Sequence, residues 1–178
     1  LDQAGLQSVS IEMVPGEMTD HYDPREKVLR LSTDVYQNRT LAAVGIAAHE
    51  SGHALQDAKN YAPLTIRNAV VPTAGIGTNI GVMLLFIGMI FRFPMLLWAG
   101  IILFSGFVFF QLVNLPVEFD ASARAKRELV SLGIVPAQSM PYVNNVLNAA
   151  ALTYVAATLQ AVLTLLYYIL RASQSSRR

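Results

Sequence analysis

The chain has 178 residues and a formal net charge of +1, so it carries no basic footprint for nucleic acid. Apolar residues make up 53% and charged residues 14%, against about 25% charged in an ordinary globular domain. Cysteine is absent, which excludes disulfides, thiolate zinc sites and a cysteine nucleophile.

The chain opens on Leu1 rather than Met, and its natural N-terminus is expected to lie upstream. Residues 1–68 hold most of the acids and read as water-facing structure. "SVSIEMV" alternates apolar and polar residues and reads as a short strand. "TDHYDPREKVLRLS" reads as a hairpin. Its turn is Asp23-Pro24-Arg25-Glu26, and its second strand is Val28-Leu29-Arg30-Leu31-Ser32. His21 in this segment is either a substrate or oxyanion contact or a solvated loop histidine.

"TLAAVGIAAHESGHALQDA" follows as a helix with Thr40 as N-cap. It contains the pattern HExxH at His49, Glu50 and His53. On a helix, residues four apart share a face, so the two imidazoles can take adjacent positions on a tetrahedral Zn²⁺. Glu50 projects beside the metal, where it can take a proton from an activated water and pass it to a leaving amine. Gly52 and the neighbouring alanines keep the backbone close to whatever packs on it. Polar groups in an otherwise apolar helix are costly unless they have partners. Asp57, four residues after His53, either orients a ligand ring or lies on the helix surface.

From Ala69 to Phe91 the chain has no charge, and again from Met95 to Val117. Each run matches the ~20 residues a helix needs to cross a bilayer, and neither shows a polar face at the helical period. Pro72 is expected near the start of the first helix; Gly75, Gly77, Gly81 and Gly88 suit close helix packing. "PVEFDASARAKRELVS" reads as a separate helix, opened by Pro116 and closed before Gly133. Asn144, Asn145 and Asn148 precede a third apolar run, Ala149–Leu170, and are expected at the membrane interface. The tail "RASQSSRR" is expected to fray.

If residues 69–117 form a membrane hairpin, its two ends emerge on one side. The hairpin then returns Glu118 beside His49 and His53 as a third metal ligand. Asp120 is a rival ligand, outer support for one, or a helix N-terminal charge. Arg124, Tyr142 and Tyr154 are candidates for polarising a scissile carbonyl.

"AAHESGHALQDAKNYAPLTIRN", "TDHYDPREKVLRLS" and "NLPVEFDASARAKREL" together resemble the bacterial YugP-type neutral zinc metallopeptidases, which are related in plan to HtpX-like peptidases. The resemblance covers nearly the whole chain. It implies His49, His53 and Glu118 as zinc ligands, Glu50 as catalytic base, and an N-terminal membrane segment before this sequence. It also implies an edge strand, placed at Val28, Leu29, Arg30 and Leu31, that pairs with an extended peptide substrate. The chain departs from the HtpX-like pattern at Ser122, where an aspartate commonly stands four residues after the ligand glutamate.

The expected architecture is an α+β membrane protein, mainly helical, with a small strand region before the HExxH helix and about three transmembrane helices. The expected parts are residues 1–68 (soluble part), 69–117 (transmembrane hairpin), 118–148 (third-ligand helix and connection) and 149–178 (C-terminal transmembrane helix and tail). The expected function is that of an integral membrane zinc endopeptidase acting on protein or peptide substrates, with the lipid bilayer as its other partner. The alternative is a catalytically silent membrane scaffold or chaperone-like subunit that keeps the metallopeptidase fold. Lys59, Arg67, Arg124, Lys126 and Arg127 slightly outnumber Arg92, Arg171, Arg177 and Arg178 on the other side of the spans. With the resemblance, this places the protein in a bacterial plasma membrane with its active site facing the cytoplasm.

Overall fold

A computed structural model of the chain describes residues 1–175; Arg177, Arg178 and the end of the tail lie outside the described residues. In chain order the strands are β1 (Ser10–Val14), β2 (His21–Asp23) and β3 (Val28–Ser32). The helices are α1 (Thr33–Gln37), α2 (Leu41–Ala58), α3 (Ala62–Ile76), α4 (Val82–Ile90), α5 (Pro94–Ser131) and α6 (Met140–Ser175), with a π-helical turn, Gly77–Gly81, between α3 and α4. Contacts divide the chain into two compact units. One is Leu1–Leu64 with Val117–Leu152; the other is Thr65–Pro116 with the chain from Thr153 onward.

The first unit is built around α2. Thr40 caps it as expected, its hydroxyl accepting from the Ala43 N–H at 3.2 Å. One flank of α2 packs on the sheet, where Leu29, Leu31, Ala54 and Leu55 are buried together with Leu6 and Val9. Another flank, Leu41, Val44 and Ala48, packs on Ala125, Leu129, Val135, Met140, Val143 and Leu147 from α5, α6 and the turn between them. That turn is closed by a left-handed Gly133 (φ 63°). The Gly133 N–H donates to Val130 and the Ile134 N–H to Leu129, the pairing that satisfies the last carbonyls of a helix.

The sheet corrects one expectation. Its order is β1-β3-β2. β1 runs parallel to β3 over Val28–Ser32, and β2 pairs antiparallel with Val28–Arg30. β3 is therefore the central strand rather than an edge: Val28, Leu29 and Arg30 are paired on both sides and Leu31 with β1. Val28, Leu29 and Leu31 are buried, and the Arg30 guanidinium is held by Glu12, Asp23 and Glu26.

Two prolines were also misplaced. Pro72 lies inside α3, not at its start, and the α3–α4 pair bends by 47° just after it. A proline removes one helical N–H and crowds the preceding turn. Pro116 lies inside α5, which runs unbroken from the second apolar run into the Glu118 segment. Proline's fixed φ is compatible with a helix, and the cost of about 3 kcal/mol is offset where the following turns bury Val117, Ala121, Ala125 and Leu129. The last helix also starts early, so Asn144, Asn145 and Asn148 lie within α6, where Asn148 accepts from the Lys126 ammonium at 3.0 Å.

In the second unit, α3–α4 and the first part of α5 pack through small residues. A Cβ on Gly77 would stand 2.5 Å from the Leu103 carbonyl oxygen, and one on Gly88 2.5 Å from the Leu97 nitrogen; Gly75, in contrast, faces open space. Two helices among the described residues, α5 and α6, are long and apolar enough to cross a membrane, or three spans if the bent α3–α4 pair counts as one.

In the first unit α2 and α5 approach closely at a glycine. A Cβ on Gly52 would stand 2.3 Å from the Ala121 carbonyl oxygen. At Gly45, also in α2, a Cβ would meet only a Val143 methyl, at 3.4 Å, which is close to an ordinary van der Waals contact. Alanine normally improves a helical glycine, so Gly45→Ala should leave the melting temperature unchanged or raise it. Gly52→Ala should destabilise by about 1–3 kcal/mol through overpacking. Thermal melts of the detergent-solubilised variants check the contrast, and a Gly52→Ala protein as stable as the parent would contradict the close approach.

Candidate metal centre

At this contact α2 and α5 present polar side chains to each other across an apolar seam. His49 and His53, one turn apart on α2, point at Glu118 on α5. Glu118 Oε2 stands 3.2 Å from His49 Nε2 and 3.7 Å from His53 Nε2. The two rings meet edge to face, with centroids 4.9 Å apart and planes at 84°. Candidate ligand atoms of the three residues all lie within 4.8 Å of one another.

The arrangement fits a zinc ion. Zinc–ligand bonds of about 2.0–2.1 Å in a tetrahedron place neighbouring ligand atoms roughly 3.3 Å apart, and the two edges to Glu118 bracket that value. The donor set, two imidazoles and a carboxylate, suits a catalytic site that leaves a fourth position open. Glu118 is only 3% exposed, and a carboxylate so buried requires a cation or strong donors around it.

Glu50 stands outside the ligand cluster but close enough to feel the charges of His49 and Glu118. Burial pushes its carboxyl up to about 7, and the Glu118 and Asp20 carboxylates add to the rise against the opposing pull of His49 and the Tyr22 backbone N–H. β2 thus touches the motif helix through Glu50. It does so again through Tyr22, whose hydroxyl donates to Asp57 at 2.8 Å.

Each imidazole has a partner on its far nitrogen. His49 Nδ1 stands 3.0 Å from Ser122 Oγ. His53 Nδ1 stands 2.9 Å from Gln56 Oε1. Gln56 is fully buried, and its amide nitrogen donates to the Val117 carbonyl and to Asp120 Oδ2, each at 2.8 Å. Sequence reasoning passed over Gln56; the available signal was a long amide one turn after His53 in an otherwise apolar helix.

The remaining candidates separate. Asp120 lies mid-helix and accepts from Gln56 and from Arg124, so it supports the site from outside and is no helix N-terminal charge. Asp57 takes Tyr22 and Lys27, leaving the orientation of His53 to Gln56. Arg124 is held by Asp120 and lies over the Tyr61 ring at 5.4 Å. His21 Nδ1 is engaged by the Thr19 carbonyl at 2.7 Å. Tyr142 is 65% exposed, and Tyr154 falls in the other unit.

Comparison with known proteins agrees with this donor set. A family described as "putative neutral zinc metallopeptidase" matches residues 1–173. The chain is 46% identical over 170 residues, 96% of its own length and 76% of the relative's, to the "Putative membrane protease YugP" of Bacillus subtilis (strain 168). No solved structure matches.

A metal at this centre stabilises the fold by mass action. Free zinc at a hundred times its Kd should stabilise the metal-stripped protein by about 2.7 kcal/mol, read as a rise in melting temperature. The rise should vanish in His53→Ala. A zinc-induced shift of the same size in that variant would place the metal somewhere else.

Proposed function

The chain belongs to the family of neutral zinc metallopeptidases, and from that premise we propose that it is an integral membrane zinc endopeptidase of the gluzincin-like plan, HExxH plus a glutamate. The observation that carries this reading is the convergence of His49, His53 and Glu118 with Glu50 beside them but outside the ligand set. When bound, zinc would acidify a water molecule and polarise the scissile carbonyl. His49, His53 and Glu118 hold the ion. Glu50 takes the proton of the attacking water and returns it to the leaving amine. Burial raises the Glu50 carboxyl above its ordinary range, the direction that strengthens a carboxylate as a base.

A peptide substrate has an edge to use, though not on β3. β2 ends the sheet, and in an antiparallel pair the backbone groups of a strand point alternately toward and away from the partner. The Tyr22 backbone is among the groups that act on the Glu50 carboxyl, which supports β2's outer side as the substrate edge. An extended chain laid there would carry its carbonyls past Glu50.

The apolar helices anchor the enzyme in the plasma membrane. Ile102, Phe109, Leu159, Leu163, Leu166 and Leu170 are exposed on α5 and α6, which suits contact with lipid. Lys59, Arg124, Lys126 and Arg127 belong to the unit that carries the site and favour a cytoplasmic placement.

Glu50→Gln keeps the side-chain shape but accepts no proton. Zinc content and melting temperature should stay near the parent's, while cleavage of an unfolded protein substrate falls at least the ~10²-fold typical of losing a general base. A silent scaffold would show no cleavage in the parent and no effect of the change, so a zinc-loaded parent without peptidase activity sinks the enzymatic reading.

A further inference from the structure

We propose that Gln56 is a positioning residue: it holds His53 in the tautomer protonated on Nδ1 and so keeps the Nε2 lone pair aimed at the metal. This rests on the zinc-site reading above.

The orientation of the Gln56 amide is not free. Its nitrogen faces two groups that can only accept, the Val117 carbonyl and the Asp120 carboxylate, each at 2.8 Å. The amide oxygen is therefore the end turned to His53 Nδ1, 2.9 Å away. An amide oxygen can only accept, so a neutral His53 must carry its proton on Nδ1. Its other nitrogen, Nε2, is then the unprotonated one, and it is the atom that faces Glu118. The opposite tautomer would set a lone pair against the Gln56 oxygen in a fully buried place, which is costly.

His49 is held differently. Its Nδ1 partner is the Ser122 hydroxyl, which can donate or accept by rotation and imposes no tautomer. The site thus has one locked ligand and one adaptable ligand. The lock is also anchored to the other helix, because both acceptors of the Gln56 amide flank Glu118 on α5. Asp120 is in turn fixed by Arg124, so the polar chain from His53 runs outward through Gln56 and Asp120 to Arg124.

The test uses the full chain in detergent. Zinc affinity is measured by chelator competition, and imidazole tautomers are read from long-range ¹⁵N–¹H NMR of the metal-free protein. With three histidines in the chain, the spectrum is assignable. The parent should show His53 protonated on Nδ1. Gln56→Leu should mix the tautomers and weaken zinc binding by about 10–100-fold, the range for losing a partner of a metal-bound histidine. Gln56→Glu combined with Asp120→Asn keeps an oxygen facing Nδ1 and lets residue 120 donate where it accepted, so the pair avoids two facing carboxylates, and it should retain the tautomer and bind zinc more tightly than Gln56→Leu. Equal weakening in both variants would reduce Gln56 to a clamp between helices and overturn the proposal. So would parent-like zinc affinity in Gln56→Leu, or an Nε2-protonated His53 in the parent, a reading that stands even if Gln56→Leu does not fold. His53→Ala separates the two levels. If it loses zinc while Gln56→Leu does not, this inference fails and the metal site stands; if it keeps zinc, both fail.

Discussion

The contact between Gly52 and the Ala121 carbonyl sets the geometry on which the rest of the site depends. Two helices carrying ordinary side chains keep their axes about 8–10 Å apart. Here one helix has no side chain at the crossing and the other offers only Ala121 and Ala125, both fully buried. The residues flanking the crossing are then brought within bonding reach of one another. On α2 these are His49 and His53; on α5 they are Glu118 and Ser122. A larger residue at the seam would part the helices, and the buried carboxylate would lose the two imidazoles that face it. A buried carboxylate deprived of partners is among the most costly defects a fold can carry. Packing and chemistry are therefore coupled at this point: the apolar seam makes the polar cluster possible, and a cation bound by the cluster would tie the seam.

Around the ligands, the chain divides its labour by hydrogen-bond chemistry. Gln56, whose oxygen only accepts, faces one imidazole, and Ser122, whose hydroxyl works in either sense, faces the other. Glu50 is kept out of the ligand cluster and is instead raised toward neutrality by burial and by neighbouring carboxylates. The separation matters because a ligand must give up its proton permanently, whereas a base must exchange one in every cycle. Tyr22 acts on this base and donates its hydroxyl to Asp57, so β2 meets the motif helix at two positions about two turns apart.

Much of this was legible from residue spacing. Thr40 before the motif marked the start of α2, and His49 and His53 four apart implied one face. Glu118, the first charge after the second apolar run, does stand with the two histidines, and Gly52 among alanines announced a close contact. What could not be read depended on relations between distant segments. That β3 is central follows from a parallel pairing with β1, and no local alternation encodes which neighbour a strand takes. Pro116 and Pro72 looked like helix starts because proline is favoured there, yet tertiary burial overrode the local preference. Gln56 and Asp57 are adjacent, and both lie about one turn from His53. Only the rotation of α2 against α5 and the sheet decides that the first meets the ring while the second meets Tyr22 and Lys27. Gly75 was grouped with Gly77 and Gly88, but its face of the helix is open.

The central claim is that two imidazoles of α2 and one carboxylate of α5 form a single zinc site at the helix seam. Zinc K-edge X-ray absorption on the purified full chain tests it most directly. The account predicts a first shell of nitrogen and oxygen donors only, at about 2.0–2.1 Å, with the outer-shell scattering of two imidazoles. A shell fitted by one imidazole, or by three so that His21 must also be a ligand, would contradict it.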